Sequence, residues 1–252
     1  MKKQLFLLIL LCLPLCALAQ TQVVAHRGYW KAQGSAQNSR RSLVKADSIG
    51  CWGTEFDVWM SRDGVLFVNH DETINGIEIQ NARASEVRDQ RLPNGERIPT
   101  LDELMQVARG TTLQLVCELK PHDNKQQEAQ AVKKLLKLFK KYGMENRVTY
   151  ITFSYPGMRL LIQQTPRGTE VYYLNGELPP TTLKQLGAAG ADYHYSVFQR
   201  HPEWVAQSHQ LGLKTNAWMV NDTPTMQWCI DQGIDFITTN EPETLQQLLK
   251  HL

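Results

Sequence analysis

The sequence predicts a TIM barrel, a closed (β/α)8 fold with a small insertion after the second strand. Three observations carry the prediction. Strand-like and helix-like runs alternate eight times through one continuous chain of 252 residues, as a parallel sheet with helical crossovers requires. Glycines stand at 143, 187, 190, 212 and 233, where a helix must stop and turn into the next strand. The length left after an N-terminal leader fits one large domain, and α/β barrels of that size are common.

The leader is residues 1–19. Lys2 and Lys3 precede an apolar stretch, 5–15, and Ala17-Leu18-Ala19 offers a small-residue cleavage site before Gln20. This is the pattern of a secretory signal peptide, and the stretch is too short and wrongly flanked for a membrane span. Cys12 and Cys16 raise lipid attachment, but Pro14-Leu15 lacks the small residues that such sites favour. The expectation is a periplasmic or secreted protein, 20–252, without lipidation or stable membrane insertion once the leader is removed.

A short apolar strand at 23–25 leads to a helix at 39–48. The second strand, 55–60, has a hairpin-like return at 65–69. Residues 72–99 are the one irregular stretch, with turn signals at Asn75-Gly76 and Pro93-Asn94-Gly95; an insertion over the barrel mouth is expected there. Helix 100–108 opens on Thr100-Leu-Asp-Glu103, a capping box in which the threonine oxygen receives an orphan amide. Strand 113–119 precedes a long helix at 125–142. Five more pairs follow: 148–153 with 158–164, 170–174 with 181–186, 192–197 with 202–211, 215–220 with 223–232, and 235–239 with 243–249.

Removing Lys2 and Lys3 takes 27 basic residues to 25, against 25 acidic ones. The near-neutral balance, with no basic aromatic-rich patch, gives no steering toward nucleic acid. Cys51, Cys117 and Cys229 remain, an odd and sparse set that argues against a disulfide framework. Cys117 precedes Glu118, so on a strand it points away from that carboxylate and into packing. The run Lys133 to Lys141 has apolar residues at helical spacing and reads as an outer helix with a solvated basic face.

Barrel active sites lie at the C-terminal ends of the strands. His26 and Arg27 end the first strand. Glu55 and Asp57 are two apart on the second and share a face, as do Glu118 and Lys120 on the third. His70 follows the return from the second strand. Three carboxylates can hold a hard divalent cation, two histidines can move protons, and Arg27 and Lys120 can neutralise an anion. The ordered set describes metal-assisted cleavage of a phosphodiester. The remaining histidines, His122, His194, His201, His209 and His251, read as satisfied polar groups.

These pieces, with Asn38-Ser39, Arg62-Asp63-Gly64, His70-Asp71, Trp218-Met219-Val220-Asn221 and residues 233–242, resemble the glycerophosphodiester phosphodiesterase family from first strand to last helix. The resemblance implies hydrolysis of small-molecule glycerophosphodiesters to glycerol 3-phosphate and an alcohol. It implies a divalent cation, Mg2+ or Ca2+, on Glu55, Asp57 and Glu118, and an acid–base pair in His26 and His70. Arg27 and Lys120 match phosphate-contacting positions, and Asn38 and Trp218 are expected at the substrate, although Trp218 equally reads as packing at the mouth. By resemblance, the attacking oxygen is the substrate's own glycerol hydroxyl, giving a cyclic phosphate that water then opens. His26 is read as base and His70 as acid.

Two departures stand out. Ala36-Gln37-Asn38 replaces the family's usual proline-glutamate-asparagine, so a carboxylate is lost beside Arg27; metal affinity or substrate preference is expected to feel it. Asn240 stands where the family often has aspartate, with a minor effect expected. Two other functions fit the same residues: a lipid-directed phosphodiesterase, marked by an apolar groove beside the metal, and a non-catalytic phosphodiester-binding protein, against which the intact histidines weigh.

Overall fold

The computed structural model describes residues 20–250; the leader read at 1–19 and the residue His251 lie outside the described residues. In chain order the first elements are β1 (Gln22–Ala25), α1 (Arg40–Ser48), β2 (Gly53–Met60), β3 (Leu66–Val68), β4 (Thr73–Ile74), β5 (Ile77–Glu78), α2 (Ala84–Val87) and α3 (Leu101–Ala108). The middle holds β6 (Gln114–Leu119), α4 (Lys125–Tyr142), β7 (Val148–Thr152), α5 (Tyr155–Gln164), β8 (Val171–Tyr173) and α6 (Pro180–Leu186). The chain continues with β9 (Gly190–His194), α7 (Tyr195–Arg200), α8 (Glu203–Gln210), β10 (Lys214–Trp218), α9 (Thr223–Asp231), β11 (Phe236–Thr239) and α10 (Pro242–Leu249).

Eight strands close the predicted barrel. They run parallel in the order β1, β11, β10, β9, β8, β7, β6, β2, and β1 pairs again with β2, as Val24 with Gly53 and Ala25 with Thr54. The return strand β3 pairs antiparallel on β2, setting Val58 opposite Val68. Alternation along the strands sorts the side chains into two populations. Phe56, Val58, Cys117, Leu119, Tyr150 and Tyr173 face outward into a shell packed against the helices. Val24, Val116, Ile151, Tyr172, Leu174 and Phe236 face inward and fill the barrel. Cys117 thus packs as its parity with Glu118 required.

The capping box forms as expected: Thr100 Oγ1 accepts from Glu103 N at 3.2 Å and Glu103 Oε2 from Thr100 N at 2.8 Å. Helix α4 buries Ala131, Val132, Leu135 and Phe139, while Lys133, Lys137, Lys140 and Lys141 are exposed. Residues 195–197, expected to extend a strand, instead begin α7. Tyr193, Tyr195 and Val197 alternate like a strand, but His194 Nδ1 faces Ser196 Oγ and N at 2.8 and 3.3 Å and caps a helix that buries Val197 and Phe198. Gly190 is not a turn glycine. It opens β9, where a Cβ would stand 1.9 Å from the Lys214 carbonyl oxygen of the neighbouring strand.

The insertion has its own apolar cluster of Ile74, Ile79, Ala84, Val87, Leu92 and Ile98, seated on Trp59, Phe67 and Ala36. Through that cluster it packs beside β2 and β3. Asn94 Nδ2 donates to the Gly34 carbonyl at 3.2 Å on one side, and Gln127 Nε2 to the Gln80 carbonyl at 3.0 Å on the other.

Candidate active site

The site is assembled from the last inward-facing positions of the strands. Val24 is followed two residues on by His26, Val116 by Glu118 (and after two more by Lys120), Ile151 by Phe153, Asn216 by Trp218, and Thr238 by Asn240. Most polar groups come from β1, β2, β6 and the loops after them, with Asp192 from β9 and Thr238 from β11; apolar ones come from β7, β8, β10 and the residues just after them. A cavity of about 130 Å³ therefore has two unlike walls: His26, Arg27, Glu55, His70 and Glu118 on one side, Ile151, Phe153, Leu174, Trp218 and Met219 on the other, with Asp192 and Thr238 also lining it.

The turn after β1 positions the first of these groups. Arg27 takes a left-handed conformation, φ 55°, which costs a non-glycine residue energy unless its surroundings fix it. Its N–H donates to Glu55 Oε2 at 2.8 Å, and its carbonyl accepts from Asn38 N and Ser42 Oγ at 3.0 and 3.1 Å. Gly28 follows at φ 76°, where a Cβ would come within 2.3 Å of Ser42 Oγ, so no other residue fits the third place of His26-Arg27-Gly28.

Glu55, Asp57 and Glu118 are buried, and one carboxylate oxygen of each lies within 4.8 Å of the others. Such crowding of like charge is costly in a low-dielectric interior. Burial first, then Asp57 and Glu118, raise the Glu55 carboxyl well above the carboxylate range. Burial and Asp57 push Glu118 up to about 7. Burial also acts to raise Asp57, but Lys120, His70 and Asn38 outweigh it and hold the group at about 2. Glu55 Oε1 is buried without a hydrogen-bond partner. An all-oxygen triad with an unpartnered buried acceptor fits a hard divalent cation.

Lys120 and Asn38, both expected at the substrate, also contact the triad. Lys120 Nζ lies 2.8 Å from Asp57 Oδ1 and 2.7 Å from Glu118 Oε1, and the side chain is buried. Asn38 Nδ2 donates to Asp57 Oδ2 at 2.8 Å, while its Oδ1 accepts from Asp57 N at 3.2 Å. Arg27 does face the cavity. Its Nη1 donates to Gln37 Oε1 at 2.6 Å and its Nε stays 3.7 Å from Asp57 Oδ2, buried and without a hydrogen-bond partner. Gln37 thus keeps the guanidinium in place without cancelling its charge.

The histidines are held by unlike partners. His26 Nδ1 lies 2.8 Å from Asn240 Oδ1, and its Nε2 is 4.0 Å from Glu55 Oε2. Burial, then Arg27, lower its pKa to about 4. His70 Nδ1 lies 2.7 Å from the Asp71 carboxylate, and burial lowers its pKa. Trp218 meets both of its readings: it lines the cavity, packs edge-on against Phe153 and His194, and donates from Nε1 to the Asp192 carbonyl at 2.9 Å. Of the histidines read as satisfied polar groups, His122 accepts at Nε2 from Met60 N at 3.1 Å and sets Nδ1 2.9 Å from the Lys120 carbonyl. His194, His201 and His209 pair with Ser196, Glu203 and Asp235. Asn240, expected to matter little, contacts a histidine of the site directly.

Asp192 is a site-lining carboxyl that strand pattern alone does not mark. It is buried inside the barrel, where Asn216 Nδ2 donates to Oδ1 at 2.9 Å. Burial raises its pKa to about 8, so the folded state keeps a proton that the unfolded chain sheds near pH 4. Its contribution to stability is full below that lower value and falls as pH rises toward 8. Asp192→Asn removes the penalty. Its thermal midpoint is expected to exceed wild type by about 2–4 °C per kcal/mol at alkaline pH and to converge with it in acid. A difference independent of pH would contradict this.

A closed α/β barrel with a carboxylate triad, two histidines and a guanidinium at the C-terminal ends of its strands has the groups that cleavage of a phosphodiester calls for. The chain belongs to the glycerophosphoryl diester phosphodiesterase family, whose profile matches residues 26–244. It is 44% identical to a glycerophosphodiester phosphodiesterase of Parabacteroides distasonis of known structure, with a TM-score of 0.91, covering 92% of this chain and 98% of that one. It is 29% identical over 245 residues to the Glycerophosphodiester phosphodiesterase of Caldanaerobacter subterraneus subsp. tengcongensis, covering 92% of this chain and 98% of the relative. The fold is also that of an Oleispira antarctica phosphodiesterase solved with the product sn-glycerol-3-phosphate, at 24% identity and a TM-score of 0.78, covering 92% and 97%.

Proposed function

We propose that this enzyme hydrolyses glycerophosphodiesters to glycerol 3-phosphate and an alcohol in a reaction that needs a divalent cation, Mg2+ or Ca2+, with His26 as base and His70 as acid. The observation that carries the reading is the convergence of His26, the Arg27 guanidinium, Glu55 and Glu118 on one cavity, with Asp57 clustered against the two glutamates. Glu55, Asp57 and Glu118 hold the cation, and Lys120 and Asn38 keep Asp57 charged for that task. When bound, the cation offsets charge building on the phosphoryl oxygens. Arg27, held by Gln37 through Nη1 and facing the cavity, shares that role.

The partners of the two imidazoles support the division of labour. Asn240 carries no charge, and its hydrogen bond favours the imidazolium less than burial and Arg27 oppose it, so His26 stays neutral and ready to accept a proton from the attacking oxygen. Asp71 is a carboxylate that favours the imidazolium, and His70 is the more exposed ring, able to protonate a departing alkoxide. The Lys2-Lys3 leader supports export to the periplasm or beyond.

The apolar wall of Phe153, Leu174, Trp218 and Met219 favours a second reading, a lysolipid diester as substrate. A panel of water-soluble glycerophosphodiesters and lysolipid micelles, with products followed by 31P NMR, separates the two. Glycerol 3-phosphate released from the soluble esters is expected. Turnover confined to micelles would transfer the assignment to lipids, and binding without turnover would overturn both.

A further inference from the structure

Asn240 Oδ1 lies 2.8 Å from His26 Nδ1 and 2.9 Å from Trp30 Nε1. An indole N–H can only donate. The amide atom facing Trp30 must therefore be the oxygen, because the reversed amide would set its NH2 against another N–H. The same oxygen faces His26, so the imidazole must present a hydrogen on Nδ1, which leaves the lone pair on Nε2. That nitrogen is the one turned toward Glu55. The amide's far end agrees, with Nδ2 directed at the Met219 sulfur, a weak acceptor, at 2.8 Å.

We infer that Trp30 and Asn240 form a tautomer lock on His26, and that both are positioning residues for the reaction. A carboxylate at this place would accept from the imidazole in either orientation. An amide has one accepting end, so its direction depends on Trp30, 210 residues away in sequence. The lock itself follows from hydrogen-bond direction; only its kinetic consequence rests on the reading of His26 as base.

The test uses the resting protein labelled with 15N-histidine, at alkaline pH where the imidazoles are neutral. Long-range proton–nitrogen spectra distinguish Nδ1–H from Nε2–H. The wild type is expected as Nδ1–H, and Trp30→Phe and Asn240→Leu as tautomer mixtures. Asn240→Asp is expected to keep Nδ1–H, and adding Trp30→Phe to it to change nothing, because both carboxylate oxygens accept. In turnover, Trp30→Phe is expected to lower kcat by about three- to tenfold with KM nearly unchanged. A wild-type Nε2–H ring overturns the lock, as does a tautomer unmoved by Trp30→Phe or an Asn240→Asp protein that behaves like Asn240→Leu. A tautomer that shifts as expected while kcat stays constant leaves the lock standing and overturns the base role of His26.

Discussion

His70→Ala is expected to lose about 10²- to 10⁴-fold in kcat/KM on alkyl glycerophosphodiesters, the usual contribution of a positioned general acid. That is about 3–5 kcal/mol of transition-state stabilisation. The same variant should lose less than about tenfold on the p-nitrophenyl ester of glycerol phosphate, because nitrophenolate departs without a proton. The reason is geometric. His70 is held through Nδ1 by Asp71 at 2.7 Å, leaving its other nitrogen free at the rim of the cavity. His26→Ala removes the base and should impair both substrates alike. Equal losses on both esters in His70→Ala would remove His70 from the acid role.

A second large effect is expected on stability. Three buried carboxylates within 4.8 Å of one another repel, and Lys120 offsets only part of that charge. A cation that binds the folded state stabilises it by about 2.7 kcal/mol at a hundredfold excess over its Kd. For a chain of this size that corresponds to a rise of about 5–11 °C in the thermal midpoint. Magnesium or calcium added after chelation should produce such a rise in the wild type, and Glu55→Gln should abolish most of it. The neutral amide also relieves repulsion, so the metal-free variant should melt no lower than the metal-free wild type. A midpoint indifferent to both cations would remove the triad from metal binding.

The parity of the strands made most of the site legible in the sequence. Once Val24, Val116, Ile151 and Phe236 are placed inside the barrel, a period of two carries His26, Glu118 and Phe153 to the same face. What the pattern hides is which neighbour each group spends its hydrogen bonds on. Lys120 and Asn38, expected at the substrate, both also contact Asp57 from different elements, which the strand pattern does not show. Asn240 looks unremarkable because its partners, His26 and Trp30, lie more than 200 residues away in sequence. The misread stretch 195–197 fails for another reason: strand-like alternation in Tyr193, Tyr195 and Val197 is overridden by a local cap at His194 and by the burial of Phe198.

The central claim, cation-dependent hydrolysis at the Glu55, Asp57 and Glu118 triad, is tested most directly by following one glycerophosphodiester by 31P NMR. The enzyme is stripped with chelator and then reloaded with magnesium or with calcium. The expected result is no glycerol 3-phosphate from the stripped protein, restored release with at least one cation, and no restoration in Glu55→Gln. Undiminished release after chelation, or full restoration in Glu55→Gln, would contradict it.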